Sequence, residues 1–170
     1  MGVVIHCLFV SPGHNYYGRH GQAADTHAIL PREEVVCRAG RGVEGDRFFD
    51  YKEDYKGQIT FFGWDTYQQI KAALAVPGLR PEAFRRNVLV EGLNLDELIG
   101  RRFRLGGVEF EGVCEAKPCY WMEQAVAPGA EAWLRGRGGL RAKILTDGVL
   151  HAGPADFAWL PAPVSPASAG

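Results

Sequence analysis

Charge of one sign is missing from this chain: 19 basic residues meet 20 acidic ones, a net charge of -1 with histidine neutral. No polybasic tail or basic helix stands out, which argues against a surface made to wrap a nucleic-acid backbone. No apolar run approaches the roughly 18 residues of a membrane span. The apolar start, MGVVIHCLFVSPGHN, has no Lys or Arg to make it a secretory signal, and Met1-Gly2 is not followed by the Ser or Thr of a myristoylation site. A cytoplasmic location is therefore expected. Cysteine is sparse too, with four residues at 7, 37, 114 and 119 and no CxxC. A domain with its own core needs no disulfide scaffold. Cys7 and Cys37 lie in apolar runs and read as buried thiols, while a bridge between Cys114 and Cys119 stays compatible with the sequence.

What the chain does have is an ordinary core composition, 46% hydrophobic and 11% aromatic over 170 residues. Surface scaling for this mass buries about 69% of the unfolded surface, enough for one domain without staples. The 22 glycines follow no three-residue period, which excludes collagen. Residues 1–160 read as a single domain. The uncharged stretch PAPVSPASAG at 161–170 has little to bury and is expected to be disordered.

Val3 to Val10 is a continuous apolar run ended by Ser11-Pro12-Gly13, the pattern of a buried strand. The polar stretch over 11–32 is long for a structureless connection, so it is a functional loop or partly structured. Further strands are expected at Glu34–Arg38, Gln58–Phe62 and Asn87–Val90. A helix over Trp64–Val76 carries Tyr67, Ile70 and Leu74 on one face and ends at Pro77-Gly78. Asn94, with Glu97 three residues on, is placed to cap a short helix. Arg102–Leu105 and Val108–Val113 pair across Gly106-Gly107, and Arg141–Leu145 is expected to pair with Val149–His151 across Asp147-Gly148. A helix over 121–134 is broken at Pro128-Gly129. Seven or eight strands with two or three helices, not alternating regularly, suggest a mainly β fold with accessory helices (α+β), closed or partly closed as a barrel.

Few stretches carry chemistry. GRGVEGDR at 40–47 lacks the Gly-Lys-Ser/Thr of a P-loop and the following helix of a dinucleotide site. It reads either as a glycine-shaped turn orienting Asp46 and Arg47, or as an anion site with Arg47 as a bidentate fork. RGRGGLRAK at 135–143 is basic without an acid; it is a solvated face or an oxyanion site using Arg137 and Arg141, with glycines admitting a ligand. Strand alternation points one of Arg85 and Arg86 inward. The five histidines have no metal-ligand spacing, and His14 and His20 read as surface residues of the polar loop. Cys119 differs, because Lys117-Pro118-Cys119 ends a strand just before a helix. It reads either as a thiol pushed toward the thiolate by a helix start and a neighbouring Lys117, or as a half-buried, inert cysteine.

Taken in order, Ser11-Pro12, GVEGDRF at 42–48, RRNVLVEGLNLDELIGRRFRLGGVEFEG at 85–112, KPC at 117–119, GRGGLRAKIL at 136–145 and GVLHAG at 148–153 resemble a MOSC domain, the family named for the C-terminal domain of molybdenum cofactor sulfurases. The resemblance implies a stand-alone barrel of MOSC type that binds molybdenum cofactor (molybdopterin). It makes Cys119 the functional residue, as a persulfide carrier or as a ligand of molybdenum. It places Arg47, Arg86, Asn87, Lys117, Arg137 and Arg141 around the pterin and its phosphate, with Asp46 orienting Arg47. No domain for pyridoxal phosphate is present in the sequence, so sulfur would come from a partner such as a cysteine desulfurase. Two other roles fit the same residues: an oxidoreductase component reducing N-hydroxylated compounds with a separate redox partner, and a non-catalytic cofactor store. Residues 49–57, FDYKEDYKG, depart from the histidine- and glycine-rich stretch of many stand-alone bacterial members.

Overall fold

The computed structural model describes residues 2–164. Residues 161–164 have no regular structure, and the rest of the tail expected to be disordered lies outside the described residues. The chain runs β1 (Val3–Val10), β2 (Leu30–Arg32), β3 (Glu34–Arg38), β4 (Gly42–Val43), β5 (Ile59–Gly63), α1 (Trp64–Ala73), β6 (Val88–Glu91), β7 (Arg102–Leu105), β8 (Val108–Glu115), α2 (Trp121–Ala125), α3 (Ala130–Leu134), β9 (Leu140–Ile144), β10 (Gly148–His151), β11 (Gly153–Ala155) and β12 (Phe157–Trp159). Short 3-10 turns sit at Pro81–Phe84 and Leu95–Leu98. Asn94 caps the second by accepting the Asp96 N–H at 3.2 Å. No described helix is long and apolar enough to cross a membrane.

The main sheet is ordered β11-β1-β6-β5-β9-β8-β7-β12, with β2 also on β1; β10-β3-β4 form a second, smaller sheet. It is mixed, since β5 and β6 are parallel and joined through α1, while their other neighbours are antiparallel. The central strands are apolar on both faces because both faces are covered. Phe61 enters one cluster with Ile5, Phe103, Phe110 and Leu140, closed by Val35, Val43 and Leu150 of the small sheet. Phe62, one residue on and so on the other face, packs with Phe9, Tyr67, Ile70 and Phe84 under α1. Cys37 is fully buried in the first cluster, and burial pushes its thiol up to about 12. All four cysteines are free thiols, so the chain has no bridge between Cys114 and Cys119.

Two expectations need correction. The closed barrel is not found: the terminal strands β11 and β12 are joined by Asp156 alone, but no ladder connects them. Consecutive segments one residue apart have no room for even a two-residue hairpin, so each pairs elsewhere, β11 with β1 and β12 with β7. The Asp147-Gly148 hairpin also fails, because β9 pairs with β5 and β8 while β10 pairs with β3. Asp147 accepts the Ala39 N–H at 2.8 Å, which holds the chain as it passes from one sheet to the other.

Asn87, expected around the pterin, is instead buried between strands. Its Oδ1 accepts from Thr60 N at 3.0 Å and its Nδ2 donates to Phe9 O at 3.2 Å. Asn87→Ala strands both backbone groups away from water, so urea unfolding should show a loss of about 2–4 kcal/mol.

Candidate functional site

At one end of the sheet five chain segments converge: the 11–29 loop, the turn at 45–48, the Pro81–Phe84 turn, the arm 116–122, and Arg141 on β9. The organising side chain is Arg86. Its Nη2 donates to Ala116 O at 2.8 Å and Gly138 O at 3.1 Å, its Nε also to Gly138 O at 3.2 Å, and its Nη1 to Phe84 O at 3.2 Å. Three segments are thus held by one guanidinium and no carboxylate. Gly138 fits because it lacks a Cβ, which would meet Ala116 O at 2.3 Å and Pro118 Cδ at 2.9 Å. Gly138 and Gly139 of the 135–143 stretch therefore admit a neighbouring backbone rather than a ligand; at Gly139 a Cβ would lie 2.1 Å from Phe61 O.

Arg85 adopts a left-handed backbone conformation, φ 52°. This breaks strand alternation, and both Arg85 and Arg86 line one cavity where the sequence suggested a single inward arginine. Arg85 Nη2 donates to Ser11 Oγ at 3.0 Å and Gly13 O at 2.8 Å, fastening the 11–29 loop. That loop is closed on itself by paired bonds between Asn15 and His27 (Asn15 Nδ2 to His27 O, 3.1 Å; His27 N to Asn15 Oδ1, 2.7 Å) and by an Arg19–Asp25 ion pair. Arg47 is oriented by buried Asp46 at 3.3 Å and donates to Arg85 O at 3.3 Å. Asp46 itself is engaged by Ser11 N at 3.0 Å and Phe48 N at 3.2 Å. Arg141 occupies a half-buried position of β9, and its guanidinium has no hydrogen-bonded or ion-pair partner among the described residues.

The resulting cavity measures about 340 Å³ and brings Arg47, Arg86, Lys117, Cys119 and Arg141 together with Arg85. Among the described residues no carboxylate lines it. Burial pulls the Arg85 and Arg86 guanidiniums down to about 10, with neighbouring arginines adding to the effect. Burial lowers Arg47 as well. All remain cations at neutral pH. Aromatic side chains form the walls: His14 packs edge-on to Phe48 at 4.9 Å, Tyr16 lies 4.9 Å from Trp121, and His20 meets Tyr120 edge-on at 5.4 Å. Cys119 is exposed and lines the same cavity as Arg86. The helix after it, α2, is a single five-residue turn, so little macrodipole is available to it.

Two expected site residues are elsewhere. Asn87 is in the sheet interior, and exposed Arg137 lies over the Trp133 ring at 4.5 Å, facing a separate hollow with Asp65 and Asn94. Conversely, His14, Tyr16, Tyr17 and His20 line the cavity, as do Phe48, Trp121 and Met122. Their signal in the sequence is a polar loop unusually rich in aromatic rings. Among the described residues no group of three or more His, Cys, Asp or Glu side chains is gathered for a metal ion.

Residues 45–155 match the MOSC domain family. No curated protein matches the chain. Among solved structures, the YuaD protein from Bacillus subtilis superposes with a TM-score of 0.74 at 17% identity, covering 92% of this chain and 94% of that one. YiiM from Geobacillus stearothermophilus gives 0.67 at 15% identity, covering 94% and 75%. YiiM from Escherichia coli gives 0.61 at 18% identity, covering 92% and 71%. At these identities the likeness is one of fold.

Two tests follow from the geometry. Arg86→Lys leaves a charge but cannot reach three carbonyls at once, so amide exchange over residues 114–119 and 136–140 should accelerate by tenfold or more, on the order of one or two charge-assisted bonds. His14 is held below the usual 6.5, first by burial and then by Arg47. Its folded form resists protonation, so its contribution to stability is complete above about pH 6.5 and falls as pH drops through that value. Urea unfolding at pH 7.5 and 5.5 should show this loss, and His14→Phe should reduce the difference.

Proposed function

The chain belongs to the MOSC domain family, and on that premise we propose that it binds a molybdenum–pterin cofactor in the arginine-lined cavity and handles sulfur as a persulfide on Cys119. The observation that carries this reading is the exposed thiol lining a pocket with four arginines and, among the described residues, no carboxylate. The residues fit the group chemically. Guanidinium forks suit a phosphate, aromatic walls suit a flat heterocycle, and a soft thiolate suits molybdenum or sulfane sulfur. The cofactor, when bound, supplies a redox-active metal that accepts soft ligands.

The chain's own residues divide the work. Arg141, Arg47 and Arg85 hold the anionic end, because each keeps guanidinium N–H groups uncommitted. Arg86 spends four hydrogen bonds on carbonyls and fixes the Cys119 arm. The walls of Tyr16, Phe48 and Trp121 flank the ring and exclude water. Cys119 Sγ attacks the terminal sulfur of a donor persulfide; the new S–S bond forms as the donor's S–S bond breaks, and the donor leaves as a thiolate. A cysteine desulfurase is the class of partner that presents such a donor.

The test is intact mass with metal analysis, under anaerobic conditions, after exposure to a cysteine desulfurase and cofactor. Wild type should gain about 32 Da, one sulfur, on Cys119, and Cys119→Ser should gain none while still binding cofactor. Arg141→Gln should weaken cofactor binding by about 10- to 100-fold, the worth of charge-assisted bonds. Stoichiometric molybdenum without the sulfur adduct would reassign Cys119 to metal ligation and the protein to an oxidoreductase component. Cofactor binding with neither sulfur loading nor a Cys119 dependence would leave a storage module.

A further inference from the structure

The cavity holds more positive charge than its fold requires. A guanidinium has five N–H donors. Arg86 commits its bonds to three carbonyls, Arg85 commits one nitrogen to the loop, and Arg47 commits one N–H each to Asp46 and Arg85 O. Arg141 commits none among the described residues. Two carboxylates stand near, Asp46 buried behind Arg47 and Glu115 accepting the Gly138 N–H at 3.2 Å, and neither is among the described residues that line the cavity. Uncommitted forks in a partly enclosed, acid-free pocket select a small multivalent anion. The exposed thiol of Cys119 lines the same cavity.

We propose that thiosulfate, a small dianion carrying its own sulfane sulfur, docks on the free donors of Arg141 and Arg47 and loads Cys119 directly, making the protein a thiosulfate:thiol sulfurtransferase. This rests on the reading of Cys119 as a sulfur carrier and names a donor for it. In water a thiolate and a dianion repel each other. The arginine surplus removes that repulsion and stabilises the charge of the leaving group. The Cys119 thiolate attacks the outer sulfur of thiosulfate, and a Cys119 Sγ–S bond forms. The S–S bond of thiosulfate breaks with its electron pair staying on the departing sulfite, and the persulfide keeps one negative charge. No oxidant or reductant is consumed. Cyanide then removes the terminal sulfur as thiocyanate and returns the thiolate.

The experiment uses full-length protein with thiosulfate as the only sulfur donor, under anaerobic conditions, without cofactor or desulfurase. Wild type should gain one sulfur on Cys119, release one sulfite per chain, and turn over to thiocyanate when cyanide is added. Cys119→Ser should do none of these. Arg141→Gln removes a side chain with no structural bonds, and should raise the KM for thiosulfate by about 10- to 100-fold, with unchanged circular dichroism. Arg141→Lys should recover part of the loss, and inorganic phosphate should compete with thiosulfate. Desulfurase loading of Cys119 without thiosulfate loading overturns this proposal and leaves the persulfide reading in place. Thiosulfate loading in a protein without affinity for the pterin cofactor supports this proposal and overturns cofactor binding. Thiosulfate turnover indifferent to Arg141→Gln overturns the assignment of the anion site.

Discussion

The structure of the site hangs on a cation bonded to carbonyl oxygens. Arg86 is the point at which the Phe84 turn, the strand leading to Cys119 and the loop before β9 are tied together. A guanidinium taken from water without a carboxylate is costly unless its N–H groups are satisfied, and here four hydrogen bonds satisfy them. Carbonyl dipoles stabilise the charge but leave it unneutralised. The same interaction that orders the backbone therefore sends a positive field into the cavity. Arg47 is held in a second way, beside a buried carboxylate that cancels part of its charge. Together they separate structural cations from those available to a ligand.

Those cations sit where the sheet cannot cover them. Phe61 and Phe62 bury opposite faces of β5, and Val88 and Leu89 do the same on β6. With both faces of the central strands occupied, a pocket is left to form at the strand ends, from connecting segments. The 11–29 loop supplies much of one wall. Its internal bonds between Asn15 and His27 let it act as a preformed piece rather than a loose strand of chain.

Much of this was legible in the amino-acid order. The apolar run of β1, the Gly106-Gly107 hairpin and the helix break at Pro128-Gly129 all follow from local rules and appear at the expected places. Motif likeness drew attention to Cys119, Arg47, Arg86, Lys117 and Arg141, and the fold brings them to one cavity. The failures have a common cause: local signals were overruled by distant partners. Asp147-Gly148 has hairpin composition, but Asp147 bonds to Ala39. Arg85 and Arg86 lost their strand alternation to one left-handed residue. Asn87 and Arg137 share motifs with cavity residues, yet one stitches strands and the other rests on Trp133. The aromatic walls come from a loop whose residues have no periodicity to read.

The missing Cβ of Gly138 links two loops as a mortise links to its tenon. The arm before Cys119 lies in a notch that exists only while residue 138 is glycine, and Ala116 N returns a hydrogen bond to Gly139 O at 2.8 Å. Neither loop has a shape of its own to transplant. A designer who wished to give this thiol a different setting would have to move residues 115–119 and 136–139 as one cassette, with the arginine that rivets them.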